Sequence, residues 1–163
     1  MALNTAFAVL PGLTIDTLPS GILDPTTDYV TGEEAISNAL PAGYVGAFTA
    51  RTDDDEDAVV LVGYELMLQP DLIPDIADEA VTAVFAGNSK TWLLIVDGDE
   101  QSRMLTLDAS GVTAEDGEPV EGEPTAIIDG DPEKTLKQAV VDLTGIDLDA
   151  VVADKGVLVI VED

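Results

Sequence analysis

Asp57–Asp108, DAVVLVGYELMLQPDLIPDIADEAVTAVFAGNSKTWLLIVDGDEQSRMLTLD, carries the clearest pattern in the chain. Ala58 to Leu66 is rich in β-branched and aliphatic residues and reads as a strand. Asp75 to Gly87 reads as a helix. Asp75 stands at its cap, Ile76, Ala80 and Val84 recur at every fourth position, as do Ala77, Val81 and Phe85, and Gly87 closes it. Thr91 to Val96 is apolar without alternation, as expected of a strand covered on both faces. Two strands joined through a packed helix run parallel with a right-handed crossover. Asp97-Gly98-Asp99 then turns the chain into Ser102–Leu107, an antiparallel neighbour.

Outward from this core, Tyr44 to Ala50 reads as a short, Gly-rich strand, and Asp53 to Asp57 as the hairpin loop that joins it to Ala58. Thr31 and Glu34 have the spacing of a capping box, opening a helix with Ala35, Ile36, Ala39 and Leu40 on one face and Pro41 as its stop. On the other side, residues 109–124 form an acidic loop or hairpin, and Thr125 to Ile128 a short strand. Asp131-Pro132-Glu133 is a complete helix start: cap, Pro at the first position, acid in the first turn. Leu136, Ala139, Val140 and Leu143 give that helix an apolar face, and Gly145 ends it. Gly156 to Val161 reads as a last buried strand in the same sheet as Trp92 to Val96. The expected fold is a single α+β domain over 28–163: a mixed sheet of five to seven strands, with two to three packed helices near 32–40, 75–86 and 132–144. Trp92 is read as a core anchor.

Residues 1–27 differ from the rest. They hold three prolines (Pro11, Pro19, Pro25) and two acids (Asp16, Asp24), with no helical periodicity. Such an apolar, extended arm either covers the domain's own sheet or lies against a neighbouring subunit, and its low charge favours the neighbour. Leu3, Phe7, Val9, Leu10, Leu13, Ile15, Leu18, Ile22 and Leu23 are then the interface residues.

The charge balance bounds the solvent. There are 33 acidic residues, 21 of them Asp, against four Lys and two Arg, for a formal charge of −27. In dilute buffer this many like charges push a folded chain apart; at ~1 M salt the Debye length falls to roughly 3 Å and most of that repulsion disappears. An apolar fraction of 46% excludes a disordered chain. No run is long enough for a membrane-spanning helix, and no basic region precedes the first apolar residues, so neither span nor secretory signal is expected.

Chemistry is limited by what is missing. The chain has no Cys and no His, which excludes thiol nucleophiles, the usual triads and thiolate or imidazole metal sites. No phosphate-binding glycine loop is present, and no basic, aromatic-lined groove for nucleic acid. The metal candidates are Asp97, Asp99 and Asp108, at positions 1, 3 and 12 of a calcium loop whose sixth position is Ser102 where Gly is required. The acids at 53–57 read as a solvated tip. No catalytic residue and no cofactor is expected beyond loosely held cations. Lys134, Lys137 and Gln138, on the outer face of the 132–144 helix, make the least acidic surface.

In composition the whole chain resembles proteins of salt-in halophiles, such as haloarchaea and their viruses. A small domain led by an apolar arm resembles head or tail components of tailed viruses, a likeness resting on the first 30 residues. That resemblance implies a non-catalytic structural subunit, in a virion or in the cytoplasm of a high-salt host, with protein subunits as partners in a homo-oligomer or larger assembly. Decoration, connector and tail roles stay open. The alternative is an acidic binding protein of inhibitor, immunity or nucleic-acid-mimic type with a basic partner. A mimic would concentrate its acids, whereas residues 51–108 and 109–163 carry 14 each.

Overall fold

Ala80–Ala86 is a strand, not the second half of a helix, and this changes the class of the fold. Val81, Thr82, Val84 and Phe85 are β-branched or aromatic, types that suit a pleated, packed surface. Every residue of the seven except Thr82 is apolar, so every-fourth spacing is met without defining a helical face. The helical turn near Asp75 ends at Ile76.

The computed structural model describes residues 4–37, 40–69, 72–98 and 102–162. Its strands are β1 (Asn4–Pro11), β2 (Leu23–Thr31), β3 (Tyr44–Arg51), β4 (Asp57–Gly63), β5 (Ala80–Ala86), β6 (Thr91–Asp97), β7 (Ser102–Asp108), β8 (Gly111–Asp116) and β9 (Lys155–Val161). The helices are α1 (Gly32–Ile36), α2 (Glu65–Leu68), α3 (Leu72–Ile76), α4 (Pro132–Thr144) and α5 (Leu148–Val151). All nine strands lie in one sheet, ordered β2-β9-β3-β4-β1-β5-β6-β7-β8. Every neighbouring pair is antiparallel.

The expected mixed sheet of five to seven strands is therefore corrected to a nine-stranded antiparallel one. With no helical crossover between them, β4 and β6 are not parallel neighbours; β1 and β5 stand in between. β9 does not join β6 but fits between β2 and β3. The arm is corrected too. Residues 4–11 are the central strand, paired to β4 on one side and β5 on the other. An apolar, nearly uncharged segment is what a strand buried on both faces requires. Pro11 only ends that strand, and Pro25 sits on the edge strand β2, where a missing amide is tolerated. Residues 125–127 are not a strand; a 3-10 turn follows at Ile128–Gly130.

Other elements form as their residues dictate. Thr31 and Glu34 close the capping box of α1, though Ala39 lies outside the described residues. Asp131 caps α4 by accepting from the Lys134 amide at 3.2 Å. Gly145 ends α4 at φ +78°, and a Cβ there would stand 2.6 Å from the Asp53 backbone nitrogen. Glycine thus serves both the left-handed turn and the close approach of the 53–57 hairpin.

The sheet has a core on each face. On the first, α4 lays Leu136, Ala139 and Val140 over Phe7, Val9, Val60, Phe85, Trp92, Leu94 and Leu105. Trp92 is the core anchor expected of it. On the second, Leu66, Leu72 and Ile73 from α2 and α3 cover Ala6, Ala8, Leu10, Val59 and Leu61. No helix of the described residues is long and apolar enough to cross a membrane.

Candidate interaction surface

The second face is covered over half its width. α2 and α3 lie over β1, β3 and β4, and the second core extends to Ala80 and Val84 of β5, but among the described residues β6–β8 contribute nothing to it. Trp92 and Leu94 on the first face of β6 are buried, whereas Leu93 and Ile95 on the second are half-buried. Along β7, Arg103, Leu105 and Leu107 are buried, and Met104 between them is 38% exposed. The register aligns the second-face residues of β5–β8 into two cross-strand rows. One runs Thr82–Ile95–Met104–Asp116, the other Val84–Leu93–Thr106–Ala114. Leu93, Ile95 and Met104 belong to neither core. The Thr82 hydroxyl, on the same face, is buried without a hydrogen-bond partner among the described residues.

The edges of the sheet are blunted. β2 carries Asp24, Pro25 and Asp28 and slips register between Pro25 and Tyr29. β8 slips opposite Thr106–Leu107 and ends in the exposed acids Glu115 and Asp116. Prolines, bulges and charges at an edge oppose strand addition, so the open apolar area is the face and not the rim. A second apolar depression of about 260 Å³ lies beside α1 and α2, lined by Leu40, Tyr44, Tyr64 and Leu68.

The sequence-derived candidates fall elsewhere. Asp97 pairs with Ser102 at one end of the β6–β7 ladder, while Leu107, next to Asp108, pairs with Trp92 at the other. That length of strand is roughly 20 Å. Asp97 and Asp108 therefore cannot hold one cation, because the residues between them are a strand and not a calcium loop. Asp97 accepts from the Ser102 hydroxyl at 2.9 Å. Asp108 accepts from the Ser110 hydroxyl and amide, which hold its carboxyl below the usual range. Asp99 lies outside the described residues. Among the described residues no group of three or more carboxylates is placed to hold a metal.

The arm residues are spoken for within the protomer. Phe7 and Val9 belong to the first core, and Leu10, Leu18 and Leu23 to the second, with Leu13, Ile15 and Ile22 packed against its margin. Phe7, Val9, Leu10, Leu18 and Leu23 are buried in the protomer itself, whereas Leu13, Ile15 and Ile22 are half-buried. Leu3 lies outside the described residues. On α4, Lys134 is paired to Asp129 at 2.6 Å, Lys137 to Asp149 at 3.0 Å, and Gln138 donates to Asp142. That face is self-satisfied.

The other buried polar feature is a staple. Arg103 Nη2 lies 2.8 Å from Glu123 Oε2 and 2.7 Å from Glu115 Oε1, and Nη1 donates to the Gly117 carbonyl at 2.8 Å. The Val120 amide donates to Glu123 as well. Burial pushes the Glu123 carboxyl up, but Arg103 and then the Val120 amide outweigh it and hold it below the usual range. This network pins the segment after β8 onto the first face. With every group engaged, it is built for holding, not for chemistry.

Reasoning from sequence missed the open face. A signal existed: β6 is apolar on both sides, and once 80–86 is a strand too little helix remains to cover both faces of nine strands. Comparison with protein-family models, with curated proteins and with solved structures found no match for this chain.

Proposed function

We propose that this chain is a non-catalytic structural subunit that assembles with other protein subunits in concentrated salt, as a virion head or tail component does. The observation that carries this reading is the apolar second face of β6–β8, where Leu93, Ile95 and Met104 belong to neither core, on a domain whose charge is −27. Exposed apolar area of this kind marks a contact site. In brine the drive to cover it rises, because excluded salts strengthen burial of apolar surface, while repulsion between acidic neighbours is screened. A contact made by an open sheet face needs no catalytic side chain, which agrees with a chain lacking His and Cys.

The test is the size of the species carrying this chain in extracts of its source kept at ~1 M salt, where charge repulsion is screened. Sedimentation within a particle of fixed composition is the expected result. Recovery as a free, small protein would refute the proposal. Association that weakens as salt rises would instead favour an acidic binder of a basic partner.

A further inference from the structure

From the geometry of the open face we infer that its occupant is a second copy of this chain, packed face to face through β6–β8 about a two-fold axis. This deepens the assembly reading and rests on it.

Three observations converge. First, β6 is written for two covers and has one. Trp92, Leu94 and Val96 meet the first core, while Leu93 and Ile95, equally apolar, are half-buried and belong to neither core. A strand apolar on both sides is a strand covered on both sides, and a copy brings the same need. Second, the blunted edges leave the face as the approach, and two sheets stacked about 10 Å apart bury their facing rows together. Third, the charges at the ends of the face are self-complementary. Of the six basic side chains, Arg51, Arg103, Lys134 and Lys137 have carboxylate partners and Lys155 lies over the Tyr29 ring. Among the described residues Lys90 has neither an ion-pair nor an aromatic partner. It sits at the turn between β5 and β6, at one end of the open rows, and Asp97 closes the other end.

A two-fold axis lying between the sheets and perpendicular to the strands reverses strand direction and keeps strand order. It sets Lys90 of one copy over Asp97 of the other, twice, with Ile95 and Leu93 between. The interface is isologous, so the assembly closes as a dimer. Both copies are strongly acidic, and their general repulsion is relieved by salt while the apolar centre is not weakened. Dimerisation therefore tightens from ~0.1 M to ~1 M salt as the Debye length shortens.

The experiment is sedimentation equilibrium of the full chain at those two salt levels, with Met104→Glu as the interface variant. Met104 is already 38% exposed, so the variant folds, as circular dichroism will verify. It should weaken dimerisation tenfold or more, because an unpaired carboxylate would be desolvated at the centre. Leu68→Glu, 58% exposed and away from this face, should leave the dimer unchanged. Since the chain has no Cys, disulfide trapping has no background. Lys90→Cys mixed with Asp97→Cys should cross-link, and neither variant should do so alone. A monomer at both salts, a dimer indifferent to Met104→Glu, or cross-linking of Lys90→Cys to itself overturns the inference. The two readings fail separately: a chain monomeric when pure yet found in a particle in the extract sinks self-pairing alone.

Discussion

Arg103 and Glu123 face each other at 2.8 Å with their side chains 5% and 10% exposed, the most buried ion pair among the described residues. The pair joins β7, next to the edge strand β8, to the irregular segment leading to α4, and Glu115 and the Gly117 carbonyl complete the guanidinium's shell. Breaking such a pair from one side strands the other charge. Arg103→Met should therefore lower the melting temperature by roughly 5 °C or more, and open the 117–123 segment to proteolysis. Arg51→Met, at an exposed pair, should shift it little. Equal melting of the two variants would contradict the staple.

The same pair sets an acid limb. Glu123 is depressed in the folded chain, so its contribution is present above the unfolded glutamate pKa of about 4.3 and is lost as pH falls through the lower folded value. At ~1 M salt, where relief of self-repulsion on protonation matters least, the wild type should lose stability below that pH more steeply than Glu123→Gln. Chemical denaturation at stepped pH reads the difference. Identical slopes would deny Glu123 this role.

Salt should stabilise the fold itself. Raising potassium chloride from ~0.1 M to ~1 M cuts the Debye length from roughly 10 Å to 3 Å, and the melting temperature should rise with it. A melting temperature unchanged across that range would count against a high-salt native medium.

Phe7 packs edge-to-face on Phe85 at 5.4 Å, in the middle of the first core. Phe7→Ala should cost about 3–5 kcal/mol of unfolding free energy, and deleting residues 1–11 should abolish folding. A truncated chain that still melted cooperatively would restore the detachable arm that the sheet replaces.

How legible was this in the residues? Where one residue has one job, the reading holds. Asp131, Pro132 and Gly145 bound α4 as expected, Thr31 and Glu34 open α1, and the acidic tip between β3 and β4 falls at 52–56, with Asp57 already paired to Arg51 in the ladder. Where a segment is apolar throughout, period carries no information. Ala80–Ala86 satisfied a helical repeat and folded as a strand, and Asn4–Pro11 satisfied the description of an arm and became the sheet's axis. Both errors have one physical source: burial on two faces erases the alternation that identifies a strand. The carboxylates at 97 and 108 failed for another reason, since linear spacing cannot tell a compact loop from an extended rod. The open face emerged only from counting covers against strands.

The strand order also bears on how this molecule is made. β9, last of the nine along the chain, slots between β2 and β3, which are translated more than a hundred residues earlier. On the ribosome those two early strands emerge with a gap between them, and no nascent length short of β9 can close it. Folding is thus held back until β9 has been made, and pairing this distant along the chain makes it slow.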